Sequence, residues 1–396
     1  MSFKSLEFFL EIDEYKFYYT IVEYDSNGNF EIVLRHSSLN PGIVKGKIQD
    51  FDLVSKNIKE NIYSIEKKLN FTFKDVILIL SKFECSVINF SGYKKLNGSQ
   101  LTKENITYII NSLKSQVDKT EKNKKILHIF NSDHILDKKN IENIPIGLFG
   151  DFYSHELSFF LINNNDYRNL KNLINNCNLN IKKAISKNFL ENIYFIKEYD
   201  INSFFNISIN ENNSNIVFFK NSSLKFFQSF NFGTDIIVND ISKVLAIEKD
   251  KIKKLLLSTD FKNIKSGKDL IEKEYFDQNF RKIKKKMVLD IAQARVQEIC
   301  EVIFTKNINI DNFLKEQKLI ILQMNDETNF QFFKESFIGF LSNYKQLEIK
   351  IASKLENKFF FKNAGELVQF GWKKEAIPII QERKSIIARI FDFLFN

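Results

Sequence analysis

Residues equipped for covalent or metal chemistry are few in this chain and far apart. Cys85, Cys177 and Cys300 form no CxxC pair, and the four histidines show no metal-ligand spacing. A reduced, metal-free protein is therefore expected. Ser266-Gly267-Lys268 lacks the rest of a G-x-x-x-x-G-K-[ST] phosphate loop. The densest basic stretch, Arg281 to Lys286, opens a helical pattern and reads as a solvated face. The segment with the clearest physical chemistry is Glu382 to Asn396. Wound at helical period from Ser385 as N-cap, it gathers Ile386, Ile387, Ile390, Phe391, Phe393, Leu394 and Phe395 on an arc of about 200°. Arg389, Asp392 and Asn396 fall on the narrow polar side, and Arg383 and Lys384 precede the helix. So short a helix is marginal in water and needs a surface. Apolar residues flanked by basic ones suit an anionic lipid interface; a helix docked on its own domain is the other reading. The connector Glu375 to Gln381, with Pro378, favours a tethered segment.

The remaining composition is that of globular domains. The chain has 396 residues, 44% of them hydrophobic, enough for two large domains. No run reaches the roughly 18 consecutive apolar residues of a spanning helix. Lys4, Glu7 and Glu11 interrupt the N-terminal aromatics, so no signal-peptide pattern is present and any membrane contact is expected from the cytoplasmic face. The net charge of +9 comes from lysines scattered among asparagines and isoleucines, so no nucleic-acid partner is expected.

Two stretches share one pattern of elements. Leu6 to Ile12, Phe17 to Tyr24 and Phe30 to Arg35 are strand-like, with Asn27-Gly28 as a hairpin turn. Phe51, Val54, Ile58, Ile62, Ile65 and Leu69 recur at steps of three and four, an amphipathic helix, and Val76 to Leu80 is a buried strand. A second copy has strands at Phe205 to Ile209, Asn215 to Phe219 and Leu224 to Phe230, a helix from Thr234 to Leu245 and a final strand at Leu319 to Leu322. Duplication predicts two related α/β domains facing a cleft.

Short motifs run through both copies. Asn40-Pro41-Gly42-Ile43-Val44-Lys45-Gly46 resembles an S-x-G-h-x-K-G turn, Ile126-Leu127-His128-Ile129 an L-H-x-h segment, and Pro145-Ile146-Gly147-Leu148-Phe149-Gly150 a P-x-G-L-x-G loop. Gly233 to Ser242 is similar to G-x-x-x-T-x-D-I-A, Arg295 to Ile299 to R-x-x-E-I, and Leu367 to Gly371 to L-L-x-Y-G, although Glu366 replaces a usual glycine. In order and spacing these resemble FtsA, a bacterial cell-division family of the actin and Hsp70 superfamily. The resemblance implies an actin-like (ribonuclease H-like) fold of duplicated βββαβα domains. It places the first domain at 1–82 and 165–203, with a self-association subdomain inserted at 83–164. The second domain would occupy 204–238 and 303–374, with a distal subdomain at 239–302 that receives the C-terminal peptide of the tubulin-like protein FtsZ. Residues 375–384 would be a linker and 385–396 the membrane-targeting helix. Lys285, Lys286 and Arg295 are candidate contacts for the FtsZ peptide, although Arg295 can instead pair with Glu298 one turn along.

The resemblance also implies an ATP cleft, and here the sequence departs from it. The two phosphate hairpins align with Glu11-Ile12-Asp13-Glu14-Tyr15-Lys16 and Ser208-Ile209-Asn210-Glu211-Asn212-Asn213, and the adenosine turn with Gln323-Met324-Asn325. None of the 12 glycines stands in these loops. Side chains block the backbone approach that phosphates need, and Asp13, Glu14 and Glu211 repel an anion. Lys16, Asn239 and Asp240 are expected remnants of the cleft, without catalytic or metal-binding residues. A non-hydrolysing adaptor at the midcell inner membrane is the leading expectation, with no cofactor despite the family's ATP and magnesium. A PilM-like pilus-assembly adaptor and an active actin-like ATPase are the rivals.

Overall fold

The computed structural model describes residues 5–376 except 14, 25–29, 45, 82, 260–268, 277–279, 325–329, 345–346 and 353–356. The amphipathic segment with its basic flank, residues 382–396, lies outside the described residues.

Runs rich in aromatic and β-branched residues pair as an antiparallel meander of three strands: β1 (Ser5–Ile12), β2 (Lys16–Tyr24) and β3 (Phe30–Leu39). The Asn40 side chain shapes the following turn, accepting from the Gly42 and Ile43 N–H groups at 3.2 and 2.8 Å. A small hairpin of β4 (Ile43–Val44) and β5 (Lys47–Ile48) leads to α1 (Phe51–Leu69), whose first turn is capped by the Asp50 carboxylate accepting from Leu53 N–H at 2.9 Å. The helix buries Val54, Ile58, Ile62 and Ile65, the stripe its periodicity predicts. Next, β6 (Asp75–Leu80) runs parallel to β1.

The chain then builds a separate antiparallel sheet from β7 (Cys85–Lys95), β8 (Lys124–Leu136), β9 (Lys139–Ile141) and β10 (Phe152–Asn163), in the order β7-β10-β8-β9. Packed on it is α2 (Lys103–Thr120), which buries Ile106, Ile109, Ile110, Leu113 and Val117. His134 and His155 stand opposite each other on β8 and β10 with ring centres 4.6 Å apart. Burial pushes their pKa values down to about 4 and about 3, so both rings are neutral.

Through α3 (Asn164–Asn176) the chain returns to β11 (Asn180–Ser186), parallel to β6, and α4 (Lys187–Glu198). The first sheet is thus β11-β6-β1-β2-β3. The second copy repeats the plan with β12 (Phe204–Ile209), β13 (Ser214–Lys220), β14 (Ser223–Phe230) and α5 (Asp235–Leu245). There follow α6 (Lys249–Ser258), α7 (Lys285–Cys300), α8 (Asp311–Glu316), β15 (Leu319–Met324), α9 (Phe330–Ser342), β16 (Glu348–Ala352) and α10 (Asn357–Phe370). Its sheet is β14-β13-β12-β15-β16, the same order as the first when read from the third strand inward. The expected duplicated α/β architecture is present. One correction concerns its end: β15 is followed by a further parallel strand, β16, which sequence alternation alone did not reveal.

Three contacts make one body of these sheets. Beneath the cleft, Phe9, Phe189, Phe204, Phe219 and Phe361 share a buried cluster drawn from both copies, with Phe189 and Phe219 stacked at 6.4 Å. Each fully buried phenylalanine contributes about 1.5–3 kcal/mol. The inserted sheet is tied to the second copy by Lys225 of β14, only 5% exposed, whose ammonium lies 3.0 Å from Asp133 and 2.9 Å from Glu156. Lastly, the chain after α10 crosses all three units. The indole N–H of Trp372 donates to Ser222 O at 2.8 Å. Lys374 to Ala376 then add to the free edge of β8: Asn131 N–H donates to Lys374 O, and Ala376 N–H to Ile129 O, both at 2.7 Å. Glu375 is held by Lys183 of β11 at 3.3 Å and by His128 Nδ1 of β8 at 3.0 Å. The Ser186 N–H, 3.5 Å from His128 Nε2, favours the tautomer in which Nδ1–H donates to that carboxylate. The expected linker beginning at 375 is thus corrected. Its first two residues form a strap, because an unpaired strand edge offers them backbone partners.

Candidate functional site

The cleft of the duplicated fold is bordered by the β1–β2 and β12–β13 turns. The first is fixed by Asp13 N–H donating to Lys16 O at 3.1 Å and by Asn40, whose N–H donates to Tyr15 O at 2.9 Å and whose side-chain amide donates to Asp13 O at 2.9 Å. The second is closed by Asn210 N–H donating to Asn213 O at 2.9 Å. The two turns touch: the Asn212 side-chain amide donates to the Tyr15 hydroxyl at 2.8 Å.

Behind the second turn stands the start of α5, where a helix N-terminus offers its unpaired N–H groups to an anion. Here the turn itself takes them. Thr234 N–H donates to Asn210 O at 3.0 Å and Asp235 N–H to Glu211 O at 2.8 Å. So close an approach requires glycine at 233, where a Cβ would sit 2.0 Å from Asn210 O and 2.6 Å from Glu211 O. The Glu211 carboxylate reaches Lys253 at 2.6 Å. The Thr234 and Asp235 N–H groups, which a phosphate at this helix start would need, thus already have partners, and the Asn212 and Tyr15 side chains meet across the gap.

At the floor of the cleft lie the C-terminal ends of β1, β6 and β11, where open α/β sheets usually gather ligands. Glu11, 5% exposed, accepts from Lys187 at 2.5 Å and from the Ser81 hydroxyl at 3.1 Å. Glu191 stands one turn beyond Lys187 on α4. Burial would lower the pKa of Lys187, but the Glu11 and Glu191 carboxylates outweigh it and the ammonium is held more firmly than usual. Burial pushes Glu191 up to about 7, with Lys187 opposing and Glu11 adding to the rise. A carboxylate raised above its ordinary 4.5 contributes stability that is present below that value and lost as pH rises through about 7. Glu191→Gln is therefore expected to flatten the decline in stability between about pH 4.5 and 7, as measured by urea unfolding. An unchanged slope would show that Glu191 titrates normally.

The sequence-predicted site residues are dispersed. Lys16 is exposed at the start of β2. Asn239 donates to Asp235 at 2.8 Å within α5. Asp240 pairs with Arg295 across the α5–α7 contact, and Arg295 also reaches Glu298 at 2.6 Å. Lys285 pairs with Glu272, while Lys286 is exposed. Two of the three candidate FtsZ-peptide contacts, Arg295 and Lys285, thus have internal ion-pair partners, and the Arg295–Glu298 pair is the one the sequence offered as the alternative. Sequence reasoning missed Tyr15 and Asn212 as partners, and Lys187 with Glu191. Among the described residues no group of three or more His, Cys, Asp or Glu side chains could hold a metal, and no helix is long and apolar enough to cross a membrane.

No family model matches the chain. It is 22% identical over 313 residues to the cell division protein FtsA of Buchnera aphidicola subsp. Acyrthosiphon pisum (strain APS), covering 78% of this chain and 74% of that protein. To FtsA of Buchnera aphidicola subsp. Schizaphis graminum (strain Sg) it is 25% identical over 306 residues, covering 74% and 71%. Among solved structures it resembles a chain of the PilM-PilN type IV pilus biogenesis complex, with a TM-score of 0.54 at 9% identity over 93% of this chain and 98% of that one. The last likeness concerns the fold alone, whereas the sequence matches carry the cell-division resemblance. The chain is a divergent FtsA-like protein with the duplicated actin-like fold.

Proposed function

We propose that this chain is a cell-division adaptor that tethers FtsZ filaments to the cytoplasmic face of the inner membrane at midcell and works without hydrolysing ATP. The observation that carries the nucleotide-independent part is the Asn212–Tyr15 hydrogen bond across the cleft, together with the turn carbonyls that occupy the start of α5. The division role is supported by the similarity to two FtsA proteins over about three quarters of the chain. Membrane attachment rests on the apolar arc and basic flank of residues 383–395, and the FtsZ peptide and self-association on the same family resemblance. With Arg295 and Lys285 paired internally, an acidic peptide at α7 has Lys286 to meet first.

Flotation with anionic liposomes tests the attachment. Inserting seven large apolar side chains is worth about 1.5–3 kcal/mol each before losses from ordering and partial immersion. The full chain is expected to float, and deletion of Ser385 to Asn396, or Ile390→Glu with Phe391→Glu, to leave it in solution. Flotation of the deletion at the full-length level would sink the reading. A fluorescent fusion that fails to form a midcell band would reject the division role itself.

A further inference from the structure

The last described residues, Lys374 to Ala376, are fixed on β8. Phe130 of β8 faces Glu375, with the Ile129 and Asn131 backbone groups bonded to Ala376 and Lys374. In this register the next donor along the strap would come from residue 378 toward Leu127 O, and residue 378 is a proline without an N–H. Proline thus removes the strap's own donor at the next pair. Residues 377–384 separate that anchor point from Ser385, and fully extended they span at most about 28 Å. A bilayer that takes up Ser385 to Asn396 must come within this distance of the exit on β8.

The surface around the exit is basic. Lys114, Asp118 and Lys125 line a groove together with Glu375 and Ala376. Lys119 is exposed on the last turn of α2, and Lys122 in the turn that follows. Lys124 opens β8, 3.1 Å from Glu121. Five lysines thus stand against the carboxylates of Asp118, Glu121 and Glu375, the last already paired with Lys183 and His128. We infer that the C-terminal half of α2 and the start of β8 form the face that lies against an anionic lipid surface. This rests on the reading of Ser385 to Asn396 as a membrane anchor. The short tether brings the patch close to the surface, and lysines within a Debye length of about 8 Å feel the negative potential of the lipid headgroups. Membrane attachment then fixes the orientation of the body as well as its location.

Site-specific labelling of the full chain tests this orientation. The native thiols compete little with an introduced one, since Cys177 and Cys300 are buried and burial pushes Cys85 and Cys300 up to about 12. A fluorophore on Lys122→Cys is compared with one on Lys254→Cys, an exposed position on α6 of the second copy. Vesicles of mixed phosphatidylglycerol and phosphatidylcholine carry a headgroup quencher. Quenching at residue 122 is expected to exceed that at 254 several-fold. In a second arm, Lys119→Glu, Lys122→Glu and Lys125→Glu together are expected to weaken partitioning onto anionic vesicles at least about tenfold and leave neutral vesicles unaffected. Equal or reversed quenching, or undiminished partitioning of the triple variant, overturns the inference while flotation of the full chain preserves the anchor. A full chain that does not float overturns both.

Discussion

Lys225→Met is expected to destabilise the protein by about 3–5 kcal/mol at neutral pH, the usual cost of removing one partner from a buried ion group. Methionine keeps most of the stem volume, so the loss would come from charge. The Lys225 ammonium is the shared partner of Asp133 and Glu156 between β14 and the inserted sheet, and without it two half-buried carboxylates face each other. Lys220, at 3.5 Å from Asp133, compensates only in part. The pH dependence gives a second signature. Burial would raise the Asp133 pKa, but Lys225 and then Lys220 outweigh it and hold the carboxyl below its ordinary value. A depressed carboxyl contributes stability that is present above its unfolded pKa, near 4, and lost as pH falls through the folded value. The difference between native and variant in urea unfolding should thus be largest at pH 7 and shrink below about pH 4. A loss under about 1 kcal/mol at pH 7 would mean that the other contacts, among them the strap from Trp372 to Ala376, hold the inserted sheet to the second copy without the Lys225 ion group.

The second large effect concerns nucleotide. Calorimetry with Mg-ATP on protein lacking Ser385 to Asn396 is expected to show no binding tighter than about 1 mM, which corresponds to roughly 4 kcal/mol. A phosphate at the start of α5 would need the Thr234 and Asp235 N–H groups, each worth about 1.5–3 kcal/mol to a charged acceptor. Both already donate to the β12–β13 turn at 3.0 and 2.8 Å. Glu211 adds less repulsion than its charge suggests, because Lys253 neutralises it at 2.6 Å. Missing donors therefore dominate the expected loss. A dissociation constant below about 10 μM, roughly 7 kcal/mol, would show that the turns separate to admit nucleotide and would overturn the nucleotide-independent reading.

Local pattern was legible in the sequence, and long-range pairing was not. The aromatic and β-branched run from Phe17 to Tyr24 and the steps of three and four from Phe51 to Leu69 name β2 and α1 because each signal lies within its own element. β16 escaped notice because it is short and ends in a small residue, Ala352, so its pattern carries little signal. Glu375 and Ala376 read as the start of a linker, since an added edge strand is specified by the partner's free backbone groups more than by its own side chains. The same limit applies within the cleft. Glycine loss in the two phosphate loops could be read directly, but the Tyr15–Asn212 contact joins residues 197 positions apart, and Glu11 meets Lys187 across 176. Asp240 and Arg295 were each legible as charged helix residues, and only the packing of α5 on α7 makes them partners.

The clasp between the two turns also bears on timing. Actin-type filaments age because hydrolysis marks old subunits, and that mark lets one end grow while the other shrinks. On the proposed nucleotide-independent function, a subunit whose cleft is bridged by Asn212 and Tyr15, with Lys187 as the resident cation at its floor, would have no place to record such an age. Assemblies of it would be equilibrium polymers with the same critical concentration at both ends. They would not treadmill on their own, and turnover at the division site would be driven from outside, by the filaments they hold or by withdrawal from the lipid.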